Sequence, residues 1–576
     1  MMRCLFPYLF VLLIAFTSSC KKTQNNTLVV HLLSEPEDMH PTNGASAVRA
    51  EINLYTHLSL LRVNYKTGEL LPCLAKALPI VSPDGLSYTY EIKDGINWDD
   101  NNPITAADIA FTTKASKCLY TNNPGLKPYW ENIKEIKLDA TNKQKFTVVM
   151  KRPYILNTWF WTDFPIIQEG FYDKRKILAR YSEEQLTDST FLKTNSDIKQ
   201  WADEFNSPKY YTDPNFISGC GPYKLAKWDK GVSMTLEKKK EHWTENCQEN
   251  WYCQANADKI ILKLNSNNAS AVLELKNGLI DISGMIDYAS FTELSHDENF
   301  TKNYSLKLAD TYNYTYVAMN MKPDGHKHQK LFTDVLTRKA MALLTPYEQI
   351  NKTLYENHNK RVVCPISPNK IDFNSNLKPI NYDVAKAKAL LKQAGWADTD
   401  NDQILDKMIE GKKIKFEFSI NFMAGSKVWE DLAKQIAESM GKANIYAMLN
   451  PLDYNGFFSS VTGHEFDMSI SAWQSSATPE DFSQLWSSAS WTNNGLNFTG
   501  FGTPQSDALI DSINTSVDEN KRITLSKRFQ KLVYDEQPYI FLFTQTRRII
   551  ANKRWDNLEV YTEYPGVLLN TLKLKD

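Results

Sequence analysis

The chain has 576 residues, with 66 Lys and Arg against 67 Asp and Glu; that length exceeds one ordinary core, so two or three domains are expected. A net charge of −1, with basic residues spread along the chain, argues against a nucleic-acid partner, which would call for a basic face. At 42% hydrophobic and 23% charged residues the composition is that of an ordinary soluble globular protein, and the many Tyr and Trp in polar surroundings suit clefts with one wet side.

The N-terminus reads as a targeting segment. Arg3 supplies a positive charge, residues 5–16 are apolar, and the small residues Thr17, Ser18 and Ser19 precede Cys20. The apolar run is too short to span a bilayer as a stable helix but has the length of a signal-peptide core. Small residues ending in Cys resemble a bacterial lipobox, with cleavage before Cys20 and lipidation of its thiol. Thr17 stands where that pattern prefers Leu, and plain secretion is the alternative. Residues 1–20 are therefore expected to be a lipoprotein signal peptide. No later run is long enough to span a membrane, so the mature chain is expected as a body on a lipid tether. Six cysteines follow Cys20, and export permits their oxidation. Cys247 and Cys253 flank a short polar segment and are expected to pair. Metal-ligand spacing of the CxxC type is absent, which argues against zinc.

In chain order, residues 25–34 open with the β-rich run LVVHLL and leave through the turn-rich EPEDMHP. Residues 47–61 read as a helix, with Ile52, Tyr55 and Leu58 on one face. Pro83-Asp84-Gly85 is a turn in which Gly permits positive φ, followed by an alternating strand at 87–92. Over 98–111, WDDNNPITAADIAF, a tight turn enters a helix, and Thr105 and Asp108 have capping-box spacing. Aromatic strands alternate with polar helices over 126–211. SGCGPY at 218–223 makes a tight entry to a strand pair, with the KKK at 238–240 as a solvated strand end. A strand at 259–264, a short helix at 269–277 ended by Gly278, and a strand carrying Asp281 follow.

A strand at 314–321 precedes an amphipathic helix at 331–343. The helix over 382–395 ends at the capping Gly395. Strands at 413–421 and 445–449 alternate with helices at 428–440 and 454–462, and a helix at 525–534 leads to an apolar strand at 539–543. Strands and helices alternate throughout with no fixed-period repeat, which points to α/β architecture with mixed sheets.

Residues 467–482, DMSISAWQSSATPEDF, form a short alternating strand that runs out through Trp473 into a polar turn, with Glu480 and Asp481 at a helix entry. α/β proteins present ligand sites at such strand ends; a packed Trp at a buried strand end is the alternative. Asp398, Asp400 and Asp402 have the alternate spacing of a calcium loop, but Gln403 and Ile409 stand where Gly and Glu are needed, so an Asp-rich turn is the better reading. His326 and His328 lie in a PDG turn and read as solvated. The sequence contains no P-loop, GxSxG, HExxH or GxGxxG, and no carboxylate pair is marked as an acid/base couple. Nothing here supports catalysis, a metal site or a cofactor.

Several of these blocks, in this order, resemble the extracellular solute-binding proteins of family 5, which serve oligopeptide and dipeptide ABC importers. Glu35-Pro36 with Pro41 resembles its first-strand exit, and residues 71–75 followed by Ser82-Pro83-Asp84-Gly85 its P-x-LA and S-x-DG pattern. Trp98, Asp100, Pro103, Thr105, Ala106 and Asp108 match its W-x-DG-x-P-x-TA-x-D block. Gly219, Gly221, Pro222 and Tyr223 match G-x-GPY, Gly278 and Asp281 match G-x-x-D, and residues 382–395 resemble its YD-x-x-KAK-x-LL-x-x-AG helix. Asn101 stands in the place of a family Gly; Asn tolerates the left-handed conformation, so the turn is expected to survive. Ser476 stands where peptide binders usually carry the Asp of GW-x-x-D, whose carboxylate pairs with the ligand α-ammonium. A neutral hydroxyl cannot replace that charge. Either Glu480 or Asp481 reaches in, or the ligand is not a peptide with a free amino terminus.

The resemblance implies a two-lobed, periplasmic-binding-protein-like α/β fold of the Venus-flytrap type, with mixed β-sheets and an extra insertion domain. Lobe I is expected from 27–55, 212–288 and 541–576, the insertion domain from 56–211, and lobe II from 289–540. It further implies capture of a peptide or peptide-like solute for delivery to a membrane permease, by a monomer on the periplasmic side of a bacterial cell membrane. Trp473 would form a cleft wall, with Gln474, Ser475 and Ser476 offering polar contacts. Asn43, Ala45 and Ser46 would face it from the other lobe, and the strand end at Phe543 and Gln545 would line it. Two alternatives stay open: a non-peptide solute such as a nickel chelate, haem or a sugar, and a lipid-anchored hydrolase.

Overall fold

The computed structural model describes residues 25–42, 46–123, 126–322, 329–492 and 495–575. Its frame is a pair of long antiparallel strands, Tyr304–Met319 and Tyr539–Asn552, of 16 and 14 residues. At the strand rise of roughly 3.3 Å per residue each runs for about 45–50 Å, enough to cross from one lobe into the other.

Together with eight further strands they form a ten-stranded mixed sheet. On one flank lie Ile282–Ser283, Thr27–Leu32, Lys259–Leu264, Ser233–Lys238 and Tyr223–Asp229; on the other lie Met468–Trp473, Glu417–Met423 and Tyr446–Leu452. The register of the long pair breaks between Asp310 and Tyr314. Before that break residues 304–310 pair with residues 546–552; beyond it, residues 314–319 also pair with Met468–Trp473. An irregularity of this kind bends and twists a sheet locally.

Each half is built as its sequence pattern dictates. Thr27–Leu32 and Lys259–Leu264 pair in parallel, and Leu28, Val30, Ile260 and Leu262 are buried in one core. In the second lobe Glu417–Met423 and Tyr446–Leu452 are parallel and bridged by the helix Lys427–Gly441, whose Leu432, Ile436 and Met440 recur at helical spacing and are buried. The opposite face of this lobe packs Tyr316, Trp486, Phe529 and Tyr539 together. Within residues 56–211 a four-stranded antiparallel sheet over 80–150 shares a core with Trp98, Ile109 and Trp161.

Local expectations can be checked against single bonds. The Thr105 backbone N–H donates to Asp108 Oδ2 at 2.8 Å, opening the helix Ala106–Lys117, and Asn101 adopts φ 65°. Gly219 and Gly221 lie against the end of the helix Ala47–Thr56, where an added Cβ would come within 2.2 Å of Thr56 O and 2.4 Å of Tyr55 O. That helix stops at Thr56, short of the expected 61, because Leu58, Leu60 and Leu61 are drawn into the core of the neighbouring insertion sheet. Cys247 and Cys253 form a disulfide, while Cys73, Cys118, Cys220 and Cys364 are buried free thiols. Among the described residues no helix is long and apolar enough to cross a membrane.

Candidate functional site

Where residues 128–164 of the insertion face the 473–484 turn of the second lobe, they enclose a cavity of about 1000 Å³. One wall carries Tyr154, Trp159, Phe160 and Asp163; the other carries Trp473, Gln474, Ser475, Ser476, Glu480 and Asp481.

The second wall is an extension of the sheet. Met468–Trp473 pairs with Tyr304–Met319 on one side and with Glu417–Met423 on the other, and its burial falls off over Ala472 and Trp473. The chain then leaves the sheet, and the Ser475 N–H donates to Asn313 Oδ1 at 3.0 Å, fastening the turn to the register break of the crossing strand.

A buried ion pair holds the turn's shape. The Lys370 ammonium donates to Ser475 Oγ at 3.0 Å, Thr478 O at 2.7 Å and Glu480 Oε2 at 2.9 Å, which uses all three of its protons. Glu480 Oε1 in turn accepts the Trp473 indole N–H at 2.9 Å. Charges this enclosed persist only when paired and hydrogen-bonded. Lys370 therefore neutralises Glu480 and, through it, fixes the Trp473 ring at the cavity edge.

Asp481 has a different role. Its carboxylate accepts Tyr154 Oη at 2.7 Å, Asn514 Nδ2 at 2.7 Å and the Ser483 N–H at 2.8 Å. The first of these bonds spans from insertion to lobe II, and the Ile155 N–H reinforces it by donating to Asn514 O at 2.8 Å. Ser476 Oγ accepts the Thr478 N–H at 3.3 Å, and Gln474 is exposed. Glu563, from the C-terminal segment, accepts the Ala477 N–H at 2.6 Å and the Tyr564 N–H at 3.1 Å. Burial raises its carboxyl above the ordinary value, and those two N–H groups ease it back.

The structure thus gathers Trp473, Gln474, Ser475, Ser476, Glu480 and Asp481 at one cavity. Asn43 and Ala45 lie outside the described residues. Ser46 caps the helix Ala47–Thr56, accepting the Arg49 N–H at 3.5 Å, and is not on the cavity wall. Phe543 is 2% exposed and packs against Tyr355 in the core of the second lobe. Gln545 lies beside the register break, its carbonyl accepting Thr311 Oγ1 at 2.6 Å, and does not line the cavity. Lys370, Tyr154, Asp163 and Glu563 join the site without belonging to any of the motifs above. The aromatic-rich YILNTWFW run was the available signal for the insertion wall; lone Lys370 carried none.

The acidic loop supplies its own cation. Carboxylate oxygens of Asp398, Asp400 and Asp406 lie within 4.8 Å of one another, but Lys413 Nζ is 2.9 Å from Asp400 and 3.2 Å from Asp406. Lys415 pairs with Asp402. His326 and His328 lie outside the described residues.

Two lobes joined by long crossing strands, with this cavity between the insertion and the 473–484 turn, fit a two-lobed binding protein. Residues 69–495 match the family model described as bacterial extracellular solute-binding proteins, family 5 Middle, and the chain belongs to that family. It is 24% identical over 558 residues to the oligopeptide-binding protein AppA of Bacillus subtilis (strain 168), covering 95% of this chain and 91% of that protein. It is 22% identical over 561 residues to the dipeptide-binding protein of Escherichia coli (strain K12), covering 93% and 92%. The solved structure of AppA from Bacillus subtilis in complex with a nonapeptide shares the fold at a TM-score of 0.68 and 19% identity, over 96% of this chain and 99% of that one. NikZ from Campylobacter jejuni in complex with Ni(L-His) does so at a TM-score of 0.70 and 21% identity, over 94% and 97%.

Proposed function

We propose that the protein captures a peptide or peptide-like solute in the cavity between the insertion and the 473–484 turn and delivers it to the permease of an ABC importer. The observation that carries this reading is the cavity itself, about 1000 Å³ between two walls and rimmed by aromatic and hydrogen-bonding side chains. Such a space suits an extended chain, whose main-chain groups give affinity without regard to side-chain sequence, while hydrated pockets tolerate variety. The likeness to an oligopeptide-binding and a dipeptide-binding protein supports the same class of solute. On this reading the chain performs no catalytic step and needs no cofactor. It acts as a monomer, tethered through lipidated Cys20 on the outer side of a bacterial cell membrane, with lobe I at 27–55, 212–288 and 541–576 closing on lobe II. Closure about the crossing strands presents the permease with a changed surface.

A second reading, a non-peptide solute in the same cavity, is favoured by two observations. Ser476 places a hydroxyl where peptide binders of the family usually carry a carboxylate, and the fold is shared with NikZ in complex with Ni(L-His). Mass spectrometry of ligands released from the purified, gently denatured protein separates the two. Short peptides support the first reading, and a metal chelate or other small solute replaces it with the second.

A further inference from the structure

We propose that Lys370 sets the charge class of the solute. It takes up the Glu480 carboxylate from behind the wall, so the Trp473 turn meets the ligand as an uncharged surface. Such a surface suits an amide or hydroxyl of the ligand, and not its ammonium. The inference rests on reading the cavity as the solute site, and it gives that site a chemical preference.

Lys370 stands outside the cavity lining, whereas Ser475, Thr478 and Glu480 are part of it. All three turn an acceptor toward the Lys370 ammonium, whose side chain is 4% exposed. The other Glu480 oxygen takes the Trp473 indole N–H, and Ser475 Oγ donates to the same carboxylate at 3.1 Å. Lys370 has no proton left for a ligand, and Glu480 is left with no unmatched charge.

Asp481, the other carboxylate of this wall, accepts Tyr154 Oη, Asn514 Nδ2 and the Ser483 N–H. What the turn keeps for a ligand is neutral. Gln474 is exposed, and the Ser476 hydroxyl, which accepts the Thr478 N–H, can still donate its proton. The facing insertion wall carries Glu131 and Asp163 against Lys151 and Arg152. All four are exposed, so they stay hydrated, and their signs cancel.

An ammonium pressed onto the Trp473 wall would shed water and meet no unpaired carboxylate. It would have to displace Lys370 or go without a countercharge, and burying an unmatched cation is among the costliest steps in recognition. An amide or hydroxyl gives up less hydration and finds partners in Gln474 and Ser476. The wall therefore selects by what it withholds.

The test offers the full mature chain a casein digest, half of it acetylated at its amines. Retained peptides are read by mass spectrometry as a ratio of the two forms, which cancels any general loss of affinity. Wild type is expected to retain acetylated peptides at least as well as their free-amine forms. Ser476→Asp leaves the Lys370–Glu480 pair intact and adds an unpaired carboxylate to the wall, so it should favour free-amine forms about tenfold. Lys370→Met should move the ratio the same way by unmasking Glu480, and adding Glu480→Gln should return it to the wild-type value. Should Lys370→Met fail to fold, Ser476→Asp decides alone. A wild-type preference for free-amine peptides overturns the inference and leaves peptide capture standing, as does a ratio unmoved by Ser476→Asp or by a folded Lys370→Met. Retention of neither form by wild type overturns peptide capture itself, and the inference with it.

Discussion

Tyr154 Oη donates to Asp481 Oδ2 at 2.7 Å, and this one bond ties the insertion domain to the turn that follows Trp473. A hydrogen bond to a charged group contributes about 1.5–3 kcal/mol. Tyr154→Phe keeps the ring and removes only the donor. Affinity for a peptide that wild type retains is expected to fall about tenfold. Small-angle scattering should show less ligand-induced compaction. Unchanged affinity and compaction would mean the bond contributes nothing to closure.

Trp473→Ala is expected to weaken ligand binding by more than about tenfold, since aromatic anchors at a cleft edge carry a disproportionate share of affinity. The melting temperature should change little, because Trp473 is half-buried at the end of its strand. Titration calorimetry on the folded variant checks both statements.

Lys370→Met should be among the most destabilising single changes in the second lobe. It strands the Glu480 carboxylate, whose side chain is 13% exposed, beside a Lys370 side chain that is only 4% exposed. Breaking one partner of such a pair costs about 3–5 kcal/mol, whereas removing both charges is often near neutral. The double variant Lys370→Met with Glu480→Gln should therefore recover most of the lost denaturation midpoint. A double variant as unstable as the single would show that the pair is not the reason.

Acidification should weaken the fold through His40. Its Nδ1 accepts the Thr42 N–H at 3.3 Å and Nε2 donates to Phe205 O at 2.7 Å, in a buried site where desolvation, with Arg49 beside it, lowers its pKa from 6.5 to about 4. The unfolded chain takes a proton at 6.5, the folded chain only near 4. Stability is therefore full above 6.5 and falls as pH drops through that window. At about 1.4 kcal/mol per pH unit the loss by about pH 5 is roughly 2 kcal/mol. Asp467, raised to about 6 by burial, acts in the opposite sense, since its folded form takes up a proton first. Denaturant titrations at about pH 7 and about pH 5 should show a smaller loss for His40→Gln than for wild type.

Much of the fold was legible because it rests on short-range rules. The Thr105–Asp108 cap, the left-handed Asn101, the Cys247–Cys253 bridge and the strand running out through Trp473 are each decided within a few residues. The close approach behind Gly219 and Gly221 is written in the glycines themselves. What escaped depends on distant partners. Lys370 is 110 positions from Glu480, and a single Lys in a turn carries no mark of the carboxylate it meets. Phe543 misled for a related reason. Residues 539–543 are apolar on both faces, so their pattern does not say which end opens to a cavity, and Phe543 proves to be core.

The register break between Asp310 and Tyr314 has a mechanical consequence. Asn313, inside it, holds the backbone of Ser475, and Thr311 bonds the facing strand at Gln545. The register break is thereby joined, through the Asn313 side chain and the pairing of Tyr314 with Trp473, to the turn that presents Trp473. A change in the opening angle of the lobes would then be expected to shift the pose of the indole. A solute too large for full closure would be met by a differently tilted ring, so size and shape would be sensed together.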